Sequence, residues 1–337
     1  MDNDLEVSRR NFIAAAVGAG LALSVLPGSL AAVDVPNLTK ADLDKWMTQV
    51  SNAGRWGKDD QMGTVNLITA AKRKKAAALV REGVAISLAH DVIMEKTPDN
   101  GSPFIHTMNA TGEKPDAFTT TDTYTTNYHG FSMTHMDALC HMFYDGHMYN
   151  DFPQTLVTSE GAAKLDITAF KNGIFTRGVL MDIPRLKNVP YLEPGDAIYP
   201  EDLDAWEKKA HIKVESGDML FIRTGRWARR ADKGPWAVGR NTAGLHASSV
   251  PWLKQHDIAV LASDAISDVV PSKMDKVYLP VHELVIAGMG TPIFDNCDLE
   301  ELGEKSNTLH RWEFLVSSAP LRVPTGTGSP LNPTAIF

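Results

Sequence analysis

The sequence predicts an α/β fold built on a mixed sheet in a single domain, and three observations carry that prediction. Short apolar runs recur along the chain, helical patterns lie between them, and no repeat, low-complexity tract or linker interrupts residues 40–337. The runs at 178–183, 218–223 and 257–262 are bounded by Gly, Pro or charge and read as buried strands. Earlier in the chain, Thr39 with Asp42 three residues on makes a capping-box-like start for a helix through about Val50. Thr69 opens a second helix, rich in Ala and Lys, which Gly83 is predicted to stop, and residues 84–92 then read as a strand. Residues 98–122, dense in Thr, Pro, Asn and Gly, are predicted to form one long loop. Helical patterns cover 200–210 and 244–255; residues 280–288 read as a buried helix and 291–294 as a strand ending in Asp295-Asn296. Residues 312–323 are strand-like, and the Gly/Pro-rich end from Pro324 is predicted to be irregular.

The 337 residues carry a net charge of −8, and composition is 43% hydrophobic and 22% charged, as in ordinary globular enzymes. Mild acidity argues against nucleic acid or an anionic membrane surface as partner. The segment Ser8-Arg9-Arg10-Asn11-Phe12-Ile13 resembles a twin-arginine export motif. It leads into an Ala-rich apolar run over 13–26 and then Ser29-Leu30-Ala31, a small-x-small cleavage pattern. Residues 1–31 therefore read as a signal peptide and 32–337 as the exported, periplasmic domain. The apolar run is short and rich in Gly and Ala, so no membrane span is expected in the mature chain. Cys140 and Cys297 are the only cysteines, and two buried free thiols are expected in preference to a disulfide.

The chemistry concentrates in residues 129–147, which hold four of the eleven histidines: His129, His135, His141 and His147. In an extended segment His135 and Asp137 share one face, so both can reach a single ion. Imidazole and carboxylate at this density suit a borderline divalent metal such as Zn or Mn. His141 remains as a base beside that ion. Asp145, His147 and Asp151 border the motif and read as a solvated loop; His90, His211, His246, His256 and His310 read as structural or capping residues. Cys140, among Leu139, Met142 and Phe143, reads as a packed thiol. Asp264 and Asp268 follow a predicted strand and are open to a supporting or a purely structural role. The pair Arg223 and Arg226 suits either a substrate carboxylate or an ordinary ion pair.

With these residues in view, the chain resembles the cyclase-like metal-dependent hydrolases, the family that includes kynurenine formamidase and isatin hydrolase. The resemblance runs from Arg55-Trp56-Gly57-x-Asp59-Asp60-x-x-Gly63-Thr64 to the C-terminal Ala319-Pro-Leu-Arg-Val-Pro segment. It implies a swivelling β/β/α arrangement in a homodimer or homotetramer. The family signature, His-x-x-x-His-x-Asp-x-x-x-His, implies that His135 and Asp137 are metal ligands and that His141 is the catalytic acid/base. Downstream, His282 matches a further ligand, and Asp295 takes the place of a family glutamate. The first signature histidine falls on Phe131, leaving His129 or His106 as stand-ins. The resemblance also makes Trp56 the aromatic that touches substrate, with Phe143, Tyr144 and Phe131 as further apolar wall. The function implied is a metal-dependent hydrolase that opens a small, perhaps aromatic, amide, formamide or cyclic amide. The same site serves a lactone ester, and a non-catalytic binding descendant is the reading from a different class.

Overall fold

The computed structural model describes residues 38–337; the signal-peptide expectation at 1–31 lies outside them. The sheet strands, with one separate pair, are β1 (Ala85–Ser87), β2 (Ile105–Ala110), β3 (Thr121–Thr125), β4 (His135–Asp137), β5 (Ile174–Asp182), β6 (Met219–Arg223), β7 (Val260–Ser263), β8 (Ile293–Asp295), β9 (Glu313–Ser318), β10 (Gly328–Pro330) and β11 (Thr334–Ile336). Nine of them form one mixed sheet in the order β1-β11-β9-β5-β6-β7-β8-β4-β10. The central four, β5 to β8, run parallel, and the flanking strands are antiparallel.

The helices are α1 (Lys40–Val50), α2 (Ala70–Ala77), α3 (Pro200–Ala210), α4 (Arg226–Lys233), α5 (Val250–Gln255) and α6 (Glu300–Leu309). Every residue of β6 and β7 is buried, as expected for central parallel strands covered on both faces. The core they share with helix residues such as Leu43, Trp206 and Leu253 is one continuous cluster. Among the described residues no helix is long and apolar enough to cross a membrane.

The capping signals act as read: Asp42 Oδ2 accepts from the Thr39 amide at 2.8 Å, and Thr69 Oγ1 accepts from the Lys72 amide at 3.1 Å. Helix α2 nevertheless stops at Ala77, well before Gly83. The amides of Glu82 and Gly83 both donate to the Phe337 carbonyl, so the C-terminus claims that segment. The strand expected over 84–92 narrows to β1.

Two expectations are corrected outright. Residues 98–122 are not one loop: β2 and β3 pair as a hairpin from Ile105–Thr125 onward. Its Thr-rich strands are exposed along almost their whole length, so no hydrophobic alternation marks them. The Gly/Pro-rich end is not irregular either, because it supplies β10 and β11. Pro330 is tolerated since β10 lies at the sheet edge, where a missing N–H costs no ladder bond. The helix expected over 244–255 starts as a two-residue strand and a 3₁₀ turn before α5, and 280–288 is a helical turn running into a π-helix, Glu283–Met289. Both cysteines are buried free thiols.

Candidate metal centre

Strand β4 lies between β8 and β10, and the register decides who meets whom. His135 pairs with Asp295 across β8, and Asp137 pairs with Ile293. Directly opposed residues share a face, so His135, Asp137 and Asp295 emerge together. Donor atoms of these three lie within 4.8 Å of one another, as do those of His129, Asp137 and His141.

Asp137 is the hub. Its Oδ1 faces His129 Nδ1 at 2.8 Å and His135 Nε2 at 3.7 Å; its Oδ2 faces His282 Nε2 at 3.8 Å and His141 Nε2 at 3.9 Å. Burial pushes this carboxyl toward the neutral form, but His141, His129 and His135 outweigh burial and hold it well below the usual carboxylate range.

His282 sits on the helical turn and is fixed from behind. Its Nδ1 is 2.6 Å from Asp268 Oδ2, while Asp268 also accepts from the Val281 and His282 amides. The free nitrogen, Nε2, points at Asp295 Oδ2, 3.2 Å away. Burial opposes a charge on this ring, yet Asp295 and Asp268 together raise its pKa well above the usual value. Ser267 Oγ donates to Asp295 Oδ1 at 3.1 Å, holding the carboxylate's other oxygen. Asp268 therefore supports the site. Asp264 does not: it accepts from the Thr224 and Gly225 amides and anchors the entry to α4.

His141 differs from the other imidazoles. Among the described residues it has no hydrogen-bonding tether; its ring stacks on His129 with centroids 4.1 Å apart. Burial pushes its pKa down to about 4, with Asp137 opposing and the neighbouring imidazoles assisting. At neutral pH the ring is an unprotonated base.

These groups form one side of a cleft of about 600 Å³, open at its mouth. The other side is Phe131, Ile266, Tyr278 and Leu279, with Gly239 between Phe131 and Tyr278. Sequence reasoning missed Ile266, Tyr278, Leu279 and Gly239, and no local pattern singles them out. It also expected contacts that this chain does not make in the cleft. Trp56 lies under the Arg55 guanidinium, 4.7 Å from its ring centroid, outside the cleft lining. Tyr144 bonds to Asp44 and Lys40, Phe143 is exposed, and neither lines the cleft. His106 sits on the hairpin, paired with Asp122 at 2.9 Å, and also lies outside the lining.

The remaining candidates have structural partners. Arg223 is bound to Asp182 and Glu300, and Arg226 is buried behind the Phe131 ring at 5.2 Å. His211 and His310 close α3 and α6 in the left-handed conformation, and His246 caps the turn before α5. Burial pushes the Cys140 thiol up to about 12, which leaves no thiolate for nucleophilic attack.

An α/β sheet with a buried histidine–carboxylate cluster on one antiparallel edge defines the class. The cyclase family model matches residues 47–268, and the chain belongs to that family. A crystal structure described as a novel cyclase is 31% identical, with a TM-score of 0.78 over 86% of this chain and 99% of that one. Isatin hydrolase A from Ralstonia solanacearum has the same fold at 17% identity and a TM-score of 0.56, covering 80% of this chain and 96% of that one. An isatin hydrolase bound to the product analogue thioisatinate is similar at 16% identity and a TM-score of 0.54, covering 81% and 98%. No curated protein matches.

Proposed function

We propose that this protein is a metal-dependent hydrolase that opens a small amide, formamide or cyclic amide. The observation that carries the proposal is the convergence of His135, Asp137, His282 and Asp295 on one cleft, with the untethered, neutral His141 beside them. The donor set fits a Zn or Mn ion: two imidazoles and two carboxylates, three of them spaced within 4.8 Å. Bound there, the ion supplies Lewis acidity toward a carbonyl oxygen and toward water.

The chain's own residues do the rest. His141 takes a proton from the attacking water as the oxygen bonds to the carbonyl carbon. When the C–N bond breaks, the same imidazole returns that proton to the leaving nitrogen, and a carboxylate and an amine result. Asp268 keeps the His282 ring in a single tautomer, with Nε2 turned into the cleft. Phe131, Ile266, Tyr278 and Leu279 exclude bulk water from one side and favour an apolar small-molecule substrate. Similarity to isatin hydrolases supports a cyclic amide among the substrates. A periplasmic destination, read from the twin-arginine-like segment, belongs to the same proposal, and cell fractionation checks it.

The test is turnover of matched lactam, formamide and lactone substrates before and after chelation. Lactam or formamide hydrolysis that chelation abolishes and Zn or Mn restores is the expected result. Faster lactone turnover would move the assignment to an esterase. Tight binding without turnover of any substrate, whatever metal is supplied, would overturn catalysis altogether.

A further inference from the structure

We propose that His129 is itself a ligand of the ion in this cleft, with Thr327 fixing its ring for the task. The inference rests on the reading that the cleft holds a divalent cation. The first observation is how the histidines around Asp137 are built. His135 directs Nδ1 at the Met133 carbonyl, 3.4 Å away, and turns Nε2 toward Asp137. His282 has Nδ1 on Asp268 and Nε2 toward Asp295. His129 repeats the design with its nitrogens exchanged: Nε2 lies 2.9 Å from Thr327 Oγ1, and Nδ1 lies 2.8 Å from Asp137 Oδ1. A metal-binding imidazole is characteristically held in this way, one nitrogen tethered by an outer partner and the other aimed inward.

The second observation is electrostatic. When Thr327 accepts from Nε2–H, Nδ1 presents a lone pair to a carboxylate oxygen, and two lone pairs at 2.8 Å repel. A proton or a cation must sit there. The threonine hydroxyl can rotate to donate when Nδ1 carries the proton and to accept when it carries the ion, so one residue serves both states.

Backbone shape is the third observation. Turns through residues 128–133 fold the chain back, bringing His129 to Asp137 despite the six-residue step to His135. Next to Thr327, Gly328 clears the space: a Cβ there would lie 2.9 Å from His129 Cε1 and 3.1 Å from the Tyr128 ring. The C-terminal segment thus supplies both the tether and the room.

Zinc stoichiometry and affinity of the purified, chelator-stripped protein test the proposal, together with the visible spectrum of the cobalt-substituted form. His129→Gln can keep hydrogen bonds to Asp137 and Thr327 but is a poor ligand, so it separates coordination from hydrogen bonding. Expected results are a zinc affinity loss for His129→Gln and His129→Ala larger than that for Thr327→Val, itself about 10–100-fold. The cobalt band should shift in both His129 variants while circular dichroism stays unchanged. Wild-type affinity and an unshifted cobalt band in His129→Gln would overturn the inference and leave the hydrolase reading standing. A wild-type chain that binds no zinc, manganese or cobalt would overturn both.

Discussion

Asp137 has a closed side and an open side, built by different means. On the closed side, His135, His282 and Asp295 keep side-chain exposures of 6%, 3% and 8%; on the open side, His129 and His141 keep 22% and 28%. Strand register and the Asp268 carboxylate fix the closed side. The open side hangs on a turn, one threonine and a ring stack. The difference teaches a division of labour: groups that hold charge are rigid and dry, whereas a group that must exchange protons with a substrate stays within reach of water.

Removing the hub should break the comparison entirely. Asp137→Ala is expected to lose both ion binding and turnover, checked by metal analysis and hydrolysis assays on the same preparation. His141→Ala comes next: the ion should stay bound while kcat falls by about 10²–10⁴-fold, the usual worth of a general acid/base. Retained hydrolysis would remove His141 from the mechanism. A change on the closed side should show the opposite split. Asp268→Asn is expected to weaken ion affinity by about 10–100-fold, and turnover should recover when the metal is supplied in excess.

Smaller effects belong to the apolar wall. A side chain at Gly239 would begin 3.5 Å from the Phe131 ring, so Gly239→Leu should raise KM and leave metal content unchanged. Trp56→Ala, outside the cleft lining, should change neither; a raised KM in that variant would show that Trp56 reaches a substrate in the working assembly.

The contrast also explains what could be read without coordinates. His135 and Asp137 are adjacent in a two-residue period, so their shared face follows from strand geometry alone. The buried parallel strands were legible because both faces are covered and their apolar runs are continuous. The β2–β3 hairpin was not, because its Thr-rich strands bury neither face and therefore carry no alternation. Nor were β10 and β11, whose Gly and Pro argue against strands until an edge position excuses them.

The sequence by itself determined the chemistry on offer: a dense His and Asp motif, an α/β alternation, and two thiols outside any metal-binding spacing. Only the tertiary structure decided which groups meet. Asp295 reaches His135 because β8 and β4 pair in that register, and Asp268 backs His282 although 13 residues separate Asp295 from that same histidine. Thr327 reaches His129 across 198 residues. Contacts of that kind depend on chain path and strand pairing, which local composition does not encode.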